Sequence, residues 1–320
     1  MKRWAVPAAI IVAVQYAFAL LIEARVGYHY ERTLLVYADI GLRIATAGVV
    51  AYTVARFFAY ASRKELQPTR RLLLDLPRCS SFVLGTALVT MQMAVLTWTK
   101  IMLPIADPFW ADPVLASFDH AIFGTDSWRI AASLFGWAEP LIDVAYISLL
   151  PIKFIVLAML LAAPESFRKT RLLVSYFLII GFTAIGQYLL SSAGPLFYDR
   201  LDHSNRFAGL PLEPWVKATS NYLFEHYGRG GTDVGAGISA MPSLHVAIAL
   251  WFALAVRAYA PRLSFVGFAY YALIFVGSVL LGWHFFADGV AATVLTLLAW
   301  RTAAWNSAIS RTSPRTLLAT

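Results

Sequence analysis

The sequence predicts an all-α fold, that of a polytopic helical membrane protein, and three observations carry the prediction. Hydrophobic residues make up 59% of the chain and charged residues 14%, whereas a soluble domain is about 45–50% apolar and about 25% charged. The mean hydropathy is +0.65. The apolar residues also form blocks of about 20, the length at which a helix crosses the hydrocarbon core of a bilayer.

Eight segments are long and apolar enough to be candidate transmembrane helices. They are residues 4–22, 34–60, 80–103, 138–163, 171–191, 242–260, 263–282 and 284–303. Two long connections remain, residues 104–137, expected to hold a short interfacial helix, and residues 192–241. Connections of this length usually bind or cover a ligand. We therefore divide the chain into two N-terminal helices over residues 1–79 and a membrane core over residues 80–320.

The distribution of charge predicts the orientation in the membrane. The net charge of +8 would by itself be compatible with nucleic-acid binding. More than half of the 26 basic residues, however, fall in the short connections on one side, which is the pattern of cytoplasmic segments. We expect cytoplasmic termini, long connections on the outer face and no nucleic-acid partner. Because arginine outnumbers lysine, we expect the cytoplasmic membrane of a bacterium. The single cysteine, Cys79, excludes an intramolecular disulfide.

The first candidate motif is Gly-Ile-Ser-Ala-Met-Pro-Ser-Leu-His, residues 237–245. Ser243 is a good N-cap for the sixth predicted helix, and the unpaired N–H groups at a helix start favour an anion. These features make Ser243 a candidate phosphate-binding residue and His245 a candidate catalytic residue. The alternative is an interfacial histidine whose hydrogen bonds are made to water.

The second candidate motif is Gly-Trp-His-Phe-Phe-Ala-Asp-Gly, residues 282–289. His284 and Asp288 are four residues apart and are expected on one face of the last helix. A carboxylate in an apolar helix needs a partner. Asp288 would fix the tautomer of His284 and leave the other ring nitrogen free to attack. The alternative is a structural pair that closes the helix end. The predicted topology puts both motifs on the outer face.

The two motifs together resemble the second and third signature motifs of the type 2 phosphatidic acid phosphatase and haloperoxidase superfamily. Pro-Ser-Leu-His ends at His245, and His-x-x-x-Asp follows about forty residues later. The resemblance covers roughly residues 80–303 and implies a six-helix core preceded by two additional helices. The chain looks most similar to the inositol phosphorylceramide synthase branch, because Trp-His-Phe-Phe-Ala-Asp resembles that branch's His-His-Tyr-Phe-Val-Asp. The acidic and aromatic stretch 112–128 also fits that branch.

Three cations of the family motifs are missing from this chain. The first family motif has a lysine and an arginine where this chain has Gln187 and Gly194, and the third has an arginine where it has Ser278. Phosphoryl transfer needs positive charge around the transferred oxygens. The synthase branch also departs from the phosphatase pattern in these motifs, so the resemblance implies headgroup transfer rather than plain phosphate removal.

Other residues must then hold the phosphate. The candidates are Arg229 in Gly-Arg-Gly-Gly, Arg200 and Gly194, with Arg206 and Lys217 as further basic residues. The alternative for each cation is an interfacial side chain that touches lipid headgroups. Lys153, inside the fourth predicted helix, is expected to snorkel or to pair with Asp143, and a substrate contact is the alternative.

The resemblance implies a two-step transfer through a phosphohistidine. His284 would attack phosphorus, Asp288 would orient His284, and His245 would act first as general acid and then as general base. The expected function is a lipid phosphotransferase that moves an inositol-phosphate-like headgroup to ceramide or diacylglycerol. Its partners would be membrane lipids, it would need no metal or cofactor, and the sequence indicates no oligomeric state. Two alternatives stay open: a phosphatase for lipid phosphate or polyprenyl (pyro)phosphate, and a non-catalytic lipid-binding membrane protein.

Overall fold

The computed structural model describes residues 2–27, 31–63, 69, 72, 75–202, 204–227 and 234–312, without the side chains of residues 31, 32 and 305–312. Over these residues the chain forms α-helices, two short 3₁₀ helices and no strand. The α-helices are α1 (Ala5–Val26), α2 (Glu31–Ser62), α3 (Leu76–Ala106), α4 (Asp112–Phe123), α5 (Ser127–Phe135), α6 (Glu139–Ala162), α7 (Phe167–Gly186), α8 (Pro195–Asp202), α9 (Pro214–Glu225), α10 (Leu244–Tyr259), α11 (Ser264–Leu280) and α12 (Phe286–Thr312).

Six helical stretches of the described chain are long and apolar enough to cross a membrane. They are Ala5–Val26, Thr33–Ser62, Leu76–Ala106, Ser127–Ala162, Phe167–Gly186 and Pro261–Leu280. They overlap six of the eight predicted spans. The other two predicted spans are helices as well: α10 is apolar but only 16 residues long, and α12 carries Asp288 in its first turn. The predicted fold class, an all-α polytopic membrane protein, is confirmed.

The centre of the helix bundle is formed by α7 and α10. The α7 helix is the most deeply buried of the candidate spans, and it packs against α1, α3, α10 and α12. The indole N–H of Trp251 in α10 donates to the carbonyl oxygen of Leu172 in α7 at 2.9 Å. The Tyr176 ring packs against that indole with the centroids 5.4 Å apart. These contacts fix the position of α10, whose first turn carries His245.

The two N-terminal helices pack against the side of α3. The α1 helix also contacts α7, whereas α2 is the more peripheral of the two. Because α3 begins at Leu76, the domain boundary predicted at residue 79 falls in the first turn of that helix. The division of the chain into two parts stays a prediction.

The two long connections contain helices that pack at one end of the bundle. The connection 104–137, for which the sequence predicts one short helix, contains both α4 and α5, and the connection 192–241 contains α8 and α9. A contact between α4 and the α12 start brings the first connection to the second histidine motif. These helices therefore lie beside the motif residues.

The α7 helix ends at Gly186, five residues before the predicted end at residue 191. Ser191 instead bonds to the end of α3 and the start of α4. Its Oγ donates to the carbonyl oxygen of Asp107 at 2.7 Å, and its carbonyl oxygen accepts from the N–H of Ala111 at 3.0 Å. These hydrogen bonds take the place of those that a longer α7 helix would make, which explains why the helix ends at Gly186.

Candidate functional site

The start of α10 joins the two histidine motifs. Ser243 caps this helix, as the sequence predicts, because its Oγ accepts a hydrogen bond from the N–H of Val246 at 3.4 Å. The backbone N–H of Ser243 donates to the carbonyl oxygen of Asp288 at 3.2 Å. Ser243 is fully buried. The first motif is thereby attached to the second, and His245 lies in the first turn of the helix, next to the second motif.

His284 lies in a turn before α12, and the prediction that it shares a helix face with Asp288 is wrong. The helix begins at Phe286. Its first turn is closed by Asp288, whose Oδ2 accepts from the N–H of Phe285 at 3.0 Å. This is the backward bond of a capping box, which requires residue 285 to lie outside the helix. The N–H of His284 donates to the carbonyl oxygen of Ser278 at 3.0 Å, so the turn is anchored to α11.

The turn still brings His284 to Asp288. The Nδ1 atom of His284 lies 3.4 Å from Oδ2 of Asp288, which is longer than a well-formed hydrogen bond. The side chains are buried, with His284 6% and Asp288 0% exposed. Among the described residues, neither His284 Nδ1 nor Asp288 Oδ1 has a hydrogen-bond partner. Catalytic hydrogen bonds often tighten only when substrate binds. The contact leaves Nε2 of His284 as the ring nitrogen remote from the carboxylate.

The ring of His245 lies beside the ring of His284. The two ring centroids are 6.2 Å apart, with the rings tilted by 54°. The Tyr146 ring of α6 stacks on His245 with a centroid distance of 4.5 Å and an angle of 23°. His245 is exposed although both rings lie against it. The exposed imidazole therefore borders a space that a ligand can enter.

Asp119 of α4 holds the start of α12. Its Oδ2 accepts from the N–H of Phe286 at 2.8 Å and from the Oγ of Ser127 at 2.6 Å. The first N–H groups of a helix have no partner within the helix, so this carboxylate satisfies one of them. Burial raises the pKa of Asp119, and these hydrogen bonds oppose that rise.

Asp112, seven residues before Asp119 and on the same helix face, holds the segment that follows α7. Its Oδ1 accepts from the Oγ of Ser192 at 2.6 Å and from the N–H groups of Ala193 and Gly194, both at 3.1 Å. Burial raises the pKa of Asp112 to about 6. No role for these two carboxylates is predicted from the sequence. The signal that could have found them is an acidic pair at a spacing of seven in a short helix.

Gly194 lies against the second motif. An added Cβ at Gly194 would come within 2.5 Å of the carbonyl oxygen of Trp283, and its φ of 91° is a conformation that favours glycine. Its N–H is already donated to Asp112. A phosphate would have to replace that bond to use this amide, so the predicted phosphate-binding role of Gly194 stays a prediction.

The two predicted arginines within the described chain, Arg200 and Arg206, bond to residues other than the histidines. Arg200 donates through Nη2 to the side-chain oxygen of Asn221 at 3.0 Å. Arg206 donates through Nε to Oδ1 of Asp126 at 3.0 Å, and that bond raises the pKa of Arg206. Arg229 lies outside the described residues. Their phosphate-binding roles, and the role of Ser243, stay predictions.

Two lysines of the bundle helices interact electrostatically with the histidines. Lys100 of α3 and Lys153 of α6 both act on His245, and Lys100 also acts on His284. Lys100 is not among the residues predicted from the sequence, although a lysine inside an apolar span is itself a signal of function. The predicted pairing of Lys153 with Asp143 is not formed, because ten residues separate them by about 15 Å along one helix.

A family model described as the PAP2 superfamily matches residues 115–302, more than half of the chain. The matched segment begins within α4 and contains both histidine motifs. Comparisons with the curated proteins and with the solved structures found no match.

Proposed function

Because the chain belongs to the PAP2 superfamily, we propose that it transfers a phospho-headgroup of the inositol-phosphate type from a phospholipid to a lipid alcohol such as ceramide or diacylglycerol. Membership supports a lipid phosphatase or phosphotransferase type of function. The observation that carries the proposal is the placement of His284, which lies 3.4 Å from Asp288 and has the ring of His245 at a centroid distance of 6.2 Å.

In the first step, His284 attacks the phosphorus atom of the donor phospholipid. Nδ1 of His284 carries the proton and faces Asp288, so the lone pair on Nε2 forms the N–P bond. The P–O bond to the glycerol oxygen breaks, and His245 donates a proton to that leaving oxygen. Diacylglycerol leaves, and the headgroup phosphate stays on His284. Asp288 stabilises the positive charge of the substituted imidazole.

In the second step, the acceptor alcohol takes the headgroup phosphate. His245, now without its proton, accepts the hydroxyl proton of the alcohol. The hydroxyl oxygen bonds to phosphorus, and the bond between phosphorus and Nε2 of His284 breaks with its electron pair returning to nitrogen. Both histidines and Asp288 are then in their starting protonation states, ready for the next donor lipid.

An aromatic cover beside the site supports a lipid alcohol as acceptor. The Phe197 ring of α8 lies 6.3 Å from the ring of Trp283, the residue before His284. The Phe224 ring of α9 is stacked 6.5 Å from Phe197 and 5.8 Å from Tyr227. Aromatic rings beside a site lower the access of water and favour apolar ligands. A lipid hydroxyl then competes better with water for the phosphohistidine.

Hydrolysis of a lipid phosphate or polyprenyl (pyro)phosphate is the second candidate function, and the exposure of His245 favours it. If water reaches this base, the second step transfers the phosphate to water by the same proton and bond changes. A non-catalytic lipid-binding role is the remaining alternative. It predicts that the cellular role survives replacement of His284 by alanine.

The experiment is a transfer assay with purified protein in detergent. Headgroup-labelled phosphatidylinositol is supplied with ceramide or with diacylglycerol carrying distinguishable acyl chains, and phosphatidic acid is supplied alone in a parallel reaction. We expect label in the acceptor lipid, and its loss in His284→Ala but not in the matched control His120→Ala, because His120 is exposed on α4. Phosphate release from phosphatidic acid without headgroup transfer would contradict the transferase assignment.

We propose that the site opens to the outer face of a bacterial cytoplasmic membrane and that both termini are cytoplasmic. The support is the bias of basic residues toward the short connections. Trp137, between α5 and α6, is 83% exposed at the predicted outer end. In a Cys79→Ser background, Trp137→Cys should react with an impermeant maleimide in intact cells. Labelling only in inverted vesicles would reverse the orientation.

A further inference from the structure

Lys100 and Lys153 are two cations of the membrane domain that lack an anionic partner. Lys153 is 7% exposed, and Lys100 is half-buried. Within the described chain neither ammonium group makes a hydrogen bond or an ion pair. The contact of Lys153 is with the face of the neighbouring Phe154 ring, at 4.4 Å. Buried charges are usually paired, because removal from water is costly.

The two lysines are also close enough to interact electrostatically with each other and with His245. Lys100 acts electrostatically on Lys153, and both act on His245. No carboxylate among the described residues offsets either charge. Two like charges inside an apolar bundle repel each other and destabilise the protein without ligand. They therefore favour the binding of an anion. The anion that this arrangement fits must reach both the lysines and the imidazoles.

The backbone around Lys100 is held close to the first motif. An added Cβ at Gly237, the first residue of that motif, would lie 2.7 Å from Cβ of Lys100 and 2.8 Å from its carbonyl carbon. On the other side, the side-chain amide of Gln187 donates to Oγ1 of Thr99 at 3.2 Å. Gln187 occupies the position at which the resemblance implies a lysine. The helix that Gln187 contacts through Thr99, α3, carries a lysine at the next residue, Lys100.

A similar relation holds for Lys153. Ser278 occupies the position at which the resemblance implies an arginine, and its neighbour Gly277 packs against α6. An added Cβ at Gly277 would lie 3.5 Å from the Tyr146 ring. Tyr146 and Lys153 are seven residues apart on one face of α6. Gln187 thus contacts α3, and the neighbour of Ser278 contacts α6, and each of these two helices carries an unpaired lysine.

We propose that Lys100 and Lys153 form the phosphate-binding cation pair of this site. Each ammonium group would hold one non-bridging oxygen of a lipid phosphate placed between His245 and His284. The ligand chemistry is an organic phosphate anion, supplied either by a lipid headgroup or by free phosphate. The inference rests on the proposed function only for its choice of the lipid source.

The test measures binding without turnover, by titration calorimetry on the full-length protein in detergent. Inorganic phosphate is titrated into protein that retains His284. Dioctanoyl phosphatidylinositol is titrated into the His284→Ala background, because that variant lacks the nucleophile. Lys100→Met, Lys153→Met and the double variant are compared in each setting. Lys2→Met is the matched control, because Lys2 bonds to Ser80 at the predicted cytoplasmic end.

We expect each single variant to weaken binding about tenfold or more, as for the loss of one charged hydrogen bond, and the double variant to abolish it. Lys100→Arg should retain most of the affinity, and Lys2→Met all of it. Loss of affinity in the Lys→Met variants for both ligands, or for the lipid alone, supports the proposed site. Loss for inorganic phosphate alone would overturn the lipid assignment. Unchanged affinity of the double variant for both ligands would overturn the proposal altogether.

Thermal unfolding gives a second readout. A structural role of the lysines would lower the unfolding temperature of the variants, whereas a binding role would not. Without ligand, the methionine variants should unfold at the same temperature as the unchanged protein or at a higher one, because an unpaired buried charge is removed. Lower unfolding temperatures for both Lys→Met and Lys→Gln variants would show that the lysines are structural. Neither readout depends on headgroup transfer. A protein that binds through the lysines and transfers nothing would overturn the proposed function and leave this inference standing.

Discussion

The N–H of Phe286 donates a hydrogen bond to the carboxylate of Asp119 at 2.8 Å, across 167 positions of sequence. Asp119 belongs to α4, a short helix outside the candidate spans, and Phe286 is the first residue of α12. The bond fixes the helix start that carries Asp288, and Asp288 in turn contacts His284. The position of the candidate nucleophile therefore depends on a helix at the edge of the bundle.

Replacement of Asp119 by alanine should lower both stability and turnover. The loss of a helix cap costs about 0.5–2 kcal/mol, and a displaced His284 would lower headgroup transfer by about tenfold or more. Thermal unfolding and the transfer assay measure the two effects. Asp202→Ala is the control, since Asp202 is exposed at the end of α8, outside the candidate spans. Full activity of Asp119→Ala would show that α4 does not position the site.

Asp112 should make stability depend on pH. Burial raises its pKa to about 6 from 3.8, so the folded protein holds this proton more tightly than the unfolded chain does. Protonation of Asp112 contributes about 3 kcal/mol to the free energy of unfolding. This contribution is fully present below about pH 4 and is lost as the pH rises through about 6. Unfolding temperatures between pH 4 and 7 should fall less steeply for Asp112→Asn. Parallel curves for the two proteins would contradict this role.

Tyr146 should contribute to transfer through its hydroxyl group. Its ring stacks on His245, and its buried Oη has no hydrogen-bond partner among the described residues. Tyr146→Phe keeps the stacking and removes an unsatisfied polar group, so its unfolding temperature should not fall. If the hydroxyl bonds to the substrate, turnover should fall about tenfold. A variant with unchanged turnover would exclude the hydroxyl from substrate contact.

Gly237 should be intolerant of any side chain. Alanine there would meet Lys100 backbone and side-chain atoms at less than 3 Å, and the φ of 95° is strained for alanine. Gly235→Ala is a matched control, because its φ is 77° but an added Cβ meets nothing within 4 Å. Strain alone costs about 1–2 kcal/mol. The excess loss of stability and transfer in Gly237→Ala measures the close packing, and equal effects of the two variants would show that it has no role.

Local signals in the sequence predict much of this architecture. The apolar blocks predict the helices, and Ser243 is recognisable as a cap because its bond to Val246 spans only three residues. The spacing of His284 and Asp288 predicts their contact. It does not predict the turn that forms it, because the capping bond of Asp288 to Phe285 competes with helix continuation.

The remaining site features arise from contacts between residues far apart in the chain. Asp112 bonds to Gly194 and Asp119 to Phe286, and neither partner is indicated by local spacing. Lys100 approaches the histidines because α3 packs beside the first motif at Gly237. A single sequence carries no signal for such proximity beyond the presence of a charge in an apolar span.

Headgroup transfer through a phosphohistidine requires that His284 carries the headgroup phosphate during turnover. The most direct measurement is rapid-quench mass spectrometry of the protein mixed with headgroup-labelled phosphatidylinositol, first without an acceptor lipid and then after addition of ceramide. We expect an acid-labile adduct on the peptide that contains His284, and we expect its headgroup to move to the acceptor lipid when ceramide is added. Labelled product formed with no adduct on His284, or formed equally well by His284→Ala, would contradict it.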